Sequence, residues 1–203
     1  MDFLSAIKSI AGEECIFCNE MMSDHTTFKV GGPAKYFVVP YRAEDIKKYI
    51  LAAEEYKIPY YVIGNGSNLL VSDKGYDGMI IMLGRDLGNI TVNGERITAE
   101  AGTSLARLFN TARRHSLSGL EFAAGIPGTL GGACYMNAGA YGGEMKDVLT
   151  KVITIDRQGN THEYKQGEME LSYRNSIFIR KQEIILSAEM KLCKGDVEKM
   201  THK

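Results

Sequence analysis

The chain has 203 residues, 44% of them hydrophobic, with 24 Lys and Arg against 25 Asp and Glu and a formal charge of −1. That length supports a substantial core, as one domain or two small ones. The balanced charge, without a long basic run, argues against a general nucleic-acid binder, and the longest apolar runs, such as Met79-Ile80-Ile81-Met82-Leu83, are strand-sized and too short for a membrane span.

The residues from Met1 to Lys8 lack the early positive charges and apolar stretch of a signal peptide, so the expected compartment is the cytoplasm. Residues 3–13 are expected as an amphipathic helix with Phe3, Leu4, Ile7 and Ile10 on one face. Cys15 and Cys18 follow as a Cys-x-x-Cys pair, but no second pair has metal spacing, and Cys134 and Cys193 stand alone. Reduced thiols with no metal are the expectation, and a metal or redox pair is the alternative.

The segment Thr26–Pro33 is turn chemistry leading into a strand, Tyr36–Val39, which Pro40 closes. Ala43–Lys57 reads as a helix through Ile46, Tyr49, Ile50 and Ala53, Pro59 stops it, and Tyr60–Ile63 is the next strand. A second strand cluster is expected from Met79. Ile90–Val92 and Arg96–Ala99 form a hairpin about Asn93-Gly94. Thr103 or Ser104 can cap a helix carrying Leu105, Leu108, Phe109 and Ala112. Val152–Ile155 and His162–Tyr164 flank a longer loop, and Glu183–Leu192 alternates as a half-buried strand does. Strand–helix–strand followed by hairpins predicts an α+β fold, and the composition shift near Gly84–Asn89 predicts two lobes.

Three segments can carry chemistry. Gly64-Asn65-Gly66-Ser67-Asn68-Leu69 follows a strand but lacks the third glycine of a dinucleotide fingerprint and the Gly-Lys-Ser/Thr of a P-loop. It offers successive N–H groups, the Ser67 hydroxyl and the amides of Asn65 and Asn68, a nest suited to a pyrophosphate; an ordinary tight turn is the alternative. The second segment places seven glycines between Gly125 and Gly143. Its apolar residues Ile126, Leu130, Tyr135 and Met136 imply packing, Thr129 and Asn137 are polar, and close approach to a cofactor competes with a structural turn cluster. Together the two loops can cradle a pyrophosphate and one edge of a dinucleotide.

The third segment, Leu171–Phe178, sets Arg174 between Tyr173 and Asn175 among apolar residues, so the guanidinium is expected half-buried. It can polarise a carboxylate or enolate, or else sit in a structural ion pair. His25, His115, His162 and His202 suggest neither a triad nor metal ligation. Glu121 and Glu144 border the glycine run but give little sign of acid–base work.

Four stretches, His25–Ala34, Gly64–Asn68, Gly125–Gly132 with Asn137–Gly142, and Tyr173–Ser176, resemble in order and spacing the UDP-N-acetylenolpyruvoylglucosamine reductase family. The resemblance implies a two-lobed FAD-binding domain of the vanillyl-alcohol-oxidase (PCMH) type: an N-terminal helical segment at 1–24, a small βαβ lobe at 25–86, a larger antiparallel α+β lobe at 87–194, and the start of a further region at 195–203. It implies that Gly64, Asn65, Gly66, Ser67, Asn68 and Leu69, with Gly125, Ile126, Gly128, Thr129, Gly132 and Asn137, hold FAD. In the family NADPH reduces FAD, and UDP-N-acetylglucosamine enolpyruvate then takes hydride at C3. Arg174 matches the arginine that helps stabilise the enolate, and Tyr173 precedes it.

Family members continue into a substrate-binding domain with a proton-donating serine and an assisting glutamate. This chain reaches Lys203 soon after Asp196, which can cap a helix bearing Val197 and Met200, and no serine here matches the donor motif. The expectation is FAD binding without turnover by these residues alone. A stand-alone flavin-binding module, or an inactive paralogue needing a partner chain, is the alternative, and a flavin-free structural domain a third.

Overall fold

The computed structural model describes residues 2–195, and the helix expected from Asp196 lies outside them. The chain divides into two compact units. The first runs to Leu87 and includes Arg157–Asn160; the second begins at Gly88.

In the first unit, helix α1 (Phe3–Ala11) starts where the Asp2 carboxylate accepts from the Ser5 N–H at 2.7 Å, and it buries Phe3 and Ile7. Strands β1 (Ile16–Met21) and β2 (Pro33–Val38) follow, then helix α2 (Ala43–Glu55) and strands β3 (Tyr60–Ile63) and β4 (Tyr76–Met82). The sheet order is β1-β2-β4-β3, with β2, β3 and β4 parallel and β1 antiparallel at the edge. Helix α2 buries Ile46, Tyr49, Ile50 and Ala53, as its spacing predicts. Met22, Ala34, Phe37, Ile63 and Ile80 form a core cluster in this unit.

Two features depart from the sequence reading. Strand β4 starts three residues before Met79 and lies inside the first sheet rather than opening a second cluster. Asp77 and Gly78 hide its apolar start, and the glycine is needed: a Cβ on Gly78 would lie 2.3 Å from the Pro59 carbonyl oxygen. Strand β1 gives no alternation because, as an edge strand, most of its residues are exposed.

The second unit begins with the hairpin β5 (Ile90–Asn93) and β6 (Arg96–Glu100). Asn93 pairs with Arg96, so the turn is Gly94-Glu95, one residue later than expected, with Gly94 at φ +58°. Helix α3 (Leu105–Arg114) is capped by the Ser104 hydroxyl, which accepts from the Arg107 N–H, and buries Leu105, Leu108 and Ala112. Then come β7 (Leu117–Ser118), α4 (Leu130–Tyr135), β8 (Gly139–Ala140), β9 (Gly143–Glu144), β10 (Leu149–Ile155), β11 (Thr161–Lys165), α5 (Ile177–Lys181), β12 (Ile184–Lys191) and β13 (Cys193–Lys194). The main sheet is antiparallel in the order β11-β10-β12-β6-β5, and α4 packs against β12 and β6.

One buried carboxylate ties this sheet to its flank. Glu183, 4% exposed, accepts from the Thr154 hydroxyl and from Tyr164 Oη at 2.8 Å, and Lys181 Nζ donates to the same Tyr164 oxygen at 2.8 Å. Glu183→Ala removes the acceptor of two buried hydroxyl donors, so urea unfolding is expected to show a loss of about 2–5 kcal/mol. A loss under 0.5 kcal/mol, the usual range of a surface change, would contradict this reading.

Candidate functional site

In the first unit the loop after β3 is shaped by the segment His25–Gly32. The His25 ring stacks on Phe37 at 4.2 Å and bonds Glu20 through Nε2 at 2.9 Å. The Thr27 N–H donates to the Gly66 carbonyl at 3.2 Å, and Gly32 donates to Ser72 O at 2.9 Å. Gly66 has φ +59°, and a Cβ there would lie 2.0 Å from the His25 carbonyl oxygen. With its back thus fixed, the loop leaves the N–H groups of Asn65, Gly66 and Ser67 without a backbone acceptor among the described residues. Asn65 and Asn68 are exposed, while Leu69 packs against the core cluster. Successive unpaired N–H groups on a fixed backbone suit an anion such as a phosphate.

The glycine run belongs to the second unit, and part of it is helix rather than loop. Thr129 precedes α4, whose Leu130, Ala133 and Cys134 are buried. The Leu130 N–H donates to Thr103 O at 2.8 Å, Gly131 to Ala101 O at 2.9 Å, and Leu105 to Gly128 O at 3.0 Å. A Cβ on Gly131 would meet the Ala101 Cβ at 2.9 Å, so this glycine serves packing. Gly125 and Gly132 differ. Both are exposed, nothing among the described residues lies within 4 Å of a Cβ on Gly125, and the nearest described atom to one on Gly132 is 3.7 Å away. The N–H groups of Gly125, Thr129 and Gly132 find no backbone acceptor among the described residues. Ile126 and Gly128 are half-buried and Thr129 is buried. Thr103, seen in the sequence only as a possible cap, has a buried hydroxyl without a partner among the described residues.

Asn137 was expected to face a cofactor, but its carboxamide is committed within the protein. It is 2% exposed and has φ +46°. Its Nδ2 donates to Glu144 Oε2 and, at 3.0 Å, to the Ser172 carbonyl, and its Oδ1 accepts from the Lys146 N–H at 2.9 Å. The Lys146 ammonium beside Glu144, followed by the Asn137 amide, holds the Glu144 carboxyl below its ordinary range against the opposing pull of desolvation. Glu144 also forms a reciprocal cap with Asp147, a Glu-x-x-Asp signature readable in the sequence.

Tyr173 and Arg174 sit at the tip of a tight turn closed by Ser172–Asn175 N–H···O bonds of 3.1 Å in both directions. The half-buried expectation for Arg174 is corrected: the residue is exposed, at φ +52°, with its guanidinium 5.7 Å from the Tyr173 ring centre. Of the flanking apolar side chains that suggested burial, Leu171 and Ile177 are half-buried and Phe178 is fully buried, but the turn carries the arginine outward. Among the described residues Arg174 has no carboxylate partner, so its paired donors are free for an anionic ligand. Glu121 is spent on Ser118 and the Gly119 N–H.

Among the described residues no group of three His, Cys, Asp or Glu is placed to hold a metal, and no helix is long and apolar enough to cross a membrane. The four cysteines are free thiols, with Cys15 and Cys134 buried and Cys18 and Cys193 exposed.

Within each unit taken by itself, N–H groups without a backbone acceptor among the described residues lie on glycine-fixed backbone, an arrangement that suits a phosphate. The class is a two-lobed α+β FAD-binding domain of the vanillyl-alcohol-oxidase type: a family model described as an FAD binding domain matches residues 34–165. A solved 4-ethylphenol oxidase from Gulosibacter chungangensis shares this fold at TM-score 0.71 and 17% identity, covering 95% of this chain and 42% of that one. The crystal structure of UDP-N-acetylenolpyruvylglucosamine reductase from Thermus caldophilus matches at TM-score 0.76 and 36% identity, over 89% of this chain and 64% of that one. Proteins named UDP-N-acetylenolpyruvoylglucosamine reductase are 46% identical in Caldanaerobacter subterraneus subsp. tengcongensis, over 97% of this chain and 65% of the relative, and 41% identical in Alkaliphilus oremlandii, over 98% and 67%. The chain belongs to the UDP-N-acetylenolpyruvoylglucosamine reductase family. It spans about two-thirds of the length of these relatives.

Proposed function

We propose that the chain is the FAD-holding part of an NADPH-dependent reductase that converts UDP-N-acetylglucosamine enolpyruvate to UDP-N-acetylmuramate in cell-wall precursor synthesis. The observation that carries this reading is the pair of glycine-fixed N–H clusters in a chain of this family. When bound, FAD supplies a two-electron carrier between the nicotinamide and the enolpyruvyl carbon. Asn65, Gly66 and Ser67 bind phosphate oxygens through their N–H groups, as do Gly125, Thr129 and Gly132, with Gly64, Asn68, Ile126 and Gly128 shaping the two loops. Leu69 holds its loop down rather than meeting the ligand.

Arg174 stabilises the negative charge that develops on the enolpyruvyl carboxylate, and Tyr173 lies beside its guanidinium. The proposed setting is the cytoplasm, consistent with four free thiols. The proposal assigns flavin binding to these 203 residues and completion of turnover to the longer length of the relatives, or to a partner chain that supplies it.

A reconstituted 203-residue chain is expected to show a visible flavin band that NADPH bleaches without air, with no loss of the enolpyruvyl substrate. Steady conversion of that substrate by this polypeptide would overturn the division of labour, and a bound flavin that NADPH leaves oxidised would place reduction elsewhere.

A further inference from the structure

We infer that Asn137 is a positioning residue, whose carboxamide locks the Tyr173–Arg174 turn to the end of the glycine-run helix. The inference rests on the proposed role of Arg174. Three observations within the second unit carry it. Both Nδ2 hydrogens of Asn137 are used, one on Glu144 in β9 and one on the Ser172 carbonyl that opens the turn. The amide oxygen is used as well, on the Lys146 N–H. On the far side of the turn, the hydroxyl of Ser176, a fully buried residue, donates to the carbonyl of Tyr135, the last residue of α4.

Residues 135 and 137 therefore grip the turn at both ends, while its tip stays open to solvent. Tyr173 is 87% exposed. An exposed arginine on a free loop would sample many directions, and fixing the loop's two ends lowers the entropy lost when the guanidinium meets an anion. Asparagine suits the site twice: it tolerates the left-handed backbone at φ +46°, and it alone offers two donors and an acceptor on so short a stem. A serine or aspartate at this position would lose at least one of the three bonds.

The test exploits the bond after Arg174, which trypsin can cut only when the turn opens. In Asn137→Gly, which keeps the backbone conformation at no steric cost, cleavage between Arg174 and Asn175 is expected to rise about tenfold. Cleavage at other Lys and Arg sites should barely move, and the thermal midpoint should fall by only about 2–6 °C, the loss that a tenfold easier opening implies. FAD affinity is expected to stay within about threefold, because the amide has no donor left for a ligand. Asn137→Asp keeps the acceptor for Lys146 but loses both donors, and should open the same bond. Glu144→Gln keeps the acceptor that faces Asn137 and should not.

Unchanged cleavage after Arg174 together with a tenfold loss of FAD affinity would make Asn137 a cofactor ligand and overturn the inference. So would a uniform rise at every tryptic site, which marks a general stability role. A parent chain that never binds FAD would defeat the functional reading, yet the cleavage pattern would still judge the clamp.

Discussion

Replacing Gly66 with alanine is expected to lower the thermal midpoint of the chain by about 4–12 °C and to abolish flavin retention. Gly66 stands at φ +59°, a left-handed conformation that costs an L-residue roughly 1–2 kcal/mol. The added methyl would also lie 2.0 Å from the His25 carbonyl oxygen. That oxygen belongs to backbone held by the Thr27–Gly66 bond and by His25 stacked on Phe37, so it cannot swing aside as a side chain would. The loop must move, and with it the N–H groups of Asn65, Gly66 and Ser67. Gly125→Ala is the contrasting case. Nothing among the described residues stands within 4 Å of its added Cβ, so stability should hold, while FAD affinity should fall if, as proposed, the ligand fills that space. Equal midpoints for Gly66→Ala and the parent chain would contradict this division between packing and ligand glycines.

Arg174→Ala is expected to leave folding and flavin binding intact and to cut turnover about 10²–10³-fold. The first half follows from exposure: with no carboxylate partner among the described residues, loss of the guanidinium should change stability by less than about 0.5 kcal/mol. The second follows from the proposed role, in which the guanidinium meets charge that grows as hydride arrives. The assay needs a polypeptide extended to the full length of the relatives, with thermal melting and flavin content measured alongside. Arg174→Lys keeps the charge without the paired donors and should recover only part of the rate. Normal turnover in Arg174→Ala would remove the residue from the chemistry.

The elements that the sequence made legible share one property: each has a single buried face with a clear period. Ile46, Tyr49, Ile50 and Ala53 marked α2, and Leu105, Leu108 and Ala112 marked α3. Where burial was absent or two-sided, the pattern failed. Strand β1 is too exposed to alternate, and β4 opens on Tyr76-Asp77-Gly78, where the apolar run has not yet begun. Helix α4 was hidden by glycine content, although Leu130, Ala133 and Cys134 at i, i+3 and i+4 carried its signal.

At the candidate site the motifs were visible as residue types, but the use of each was not. Asn137 reads in sequence as one more polar group near a cofactor; only its three partners, from residues 144, 146 and 172, give it another task. Arg174 reads as half-buried between apolar neighbours, and a turn closed at Ser172 and Asn175 carries it into solvent. Which N–H groups remain unpaired depends on long-range partners such as Ala101 and Thr103, and no local pattern encodes those.

The most direct measurement is the visible absorption of the purified 203-residue chain after incubation with FAD and desalting. The account predicts about one flavin retained per chain, with the band lost in Gly66→Ala. A colourless protein from a properly folded chain would contradict it, because the two N–H clusters would then not suffice to hold the cofactor.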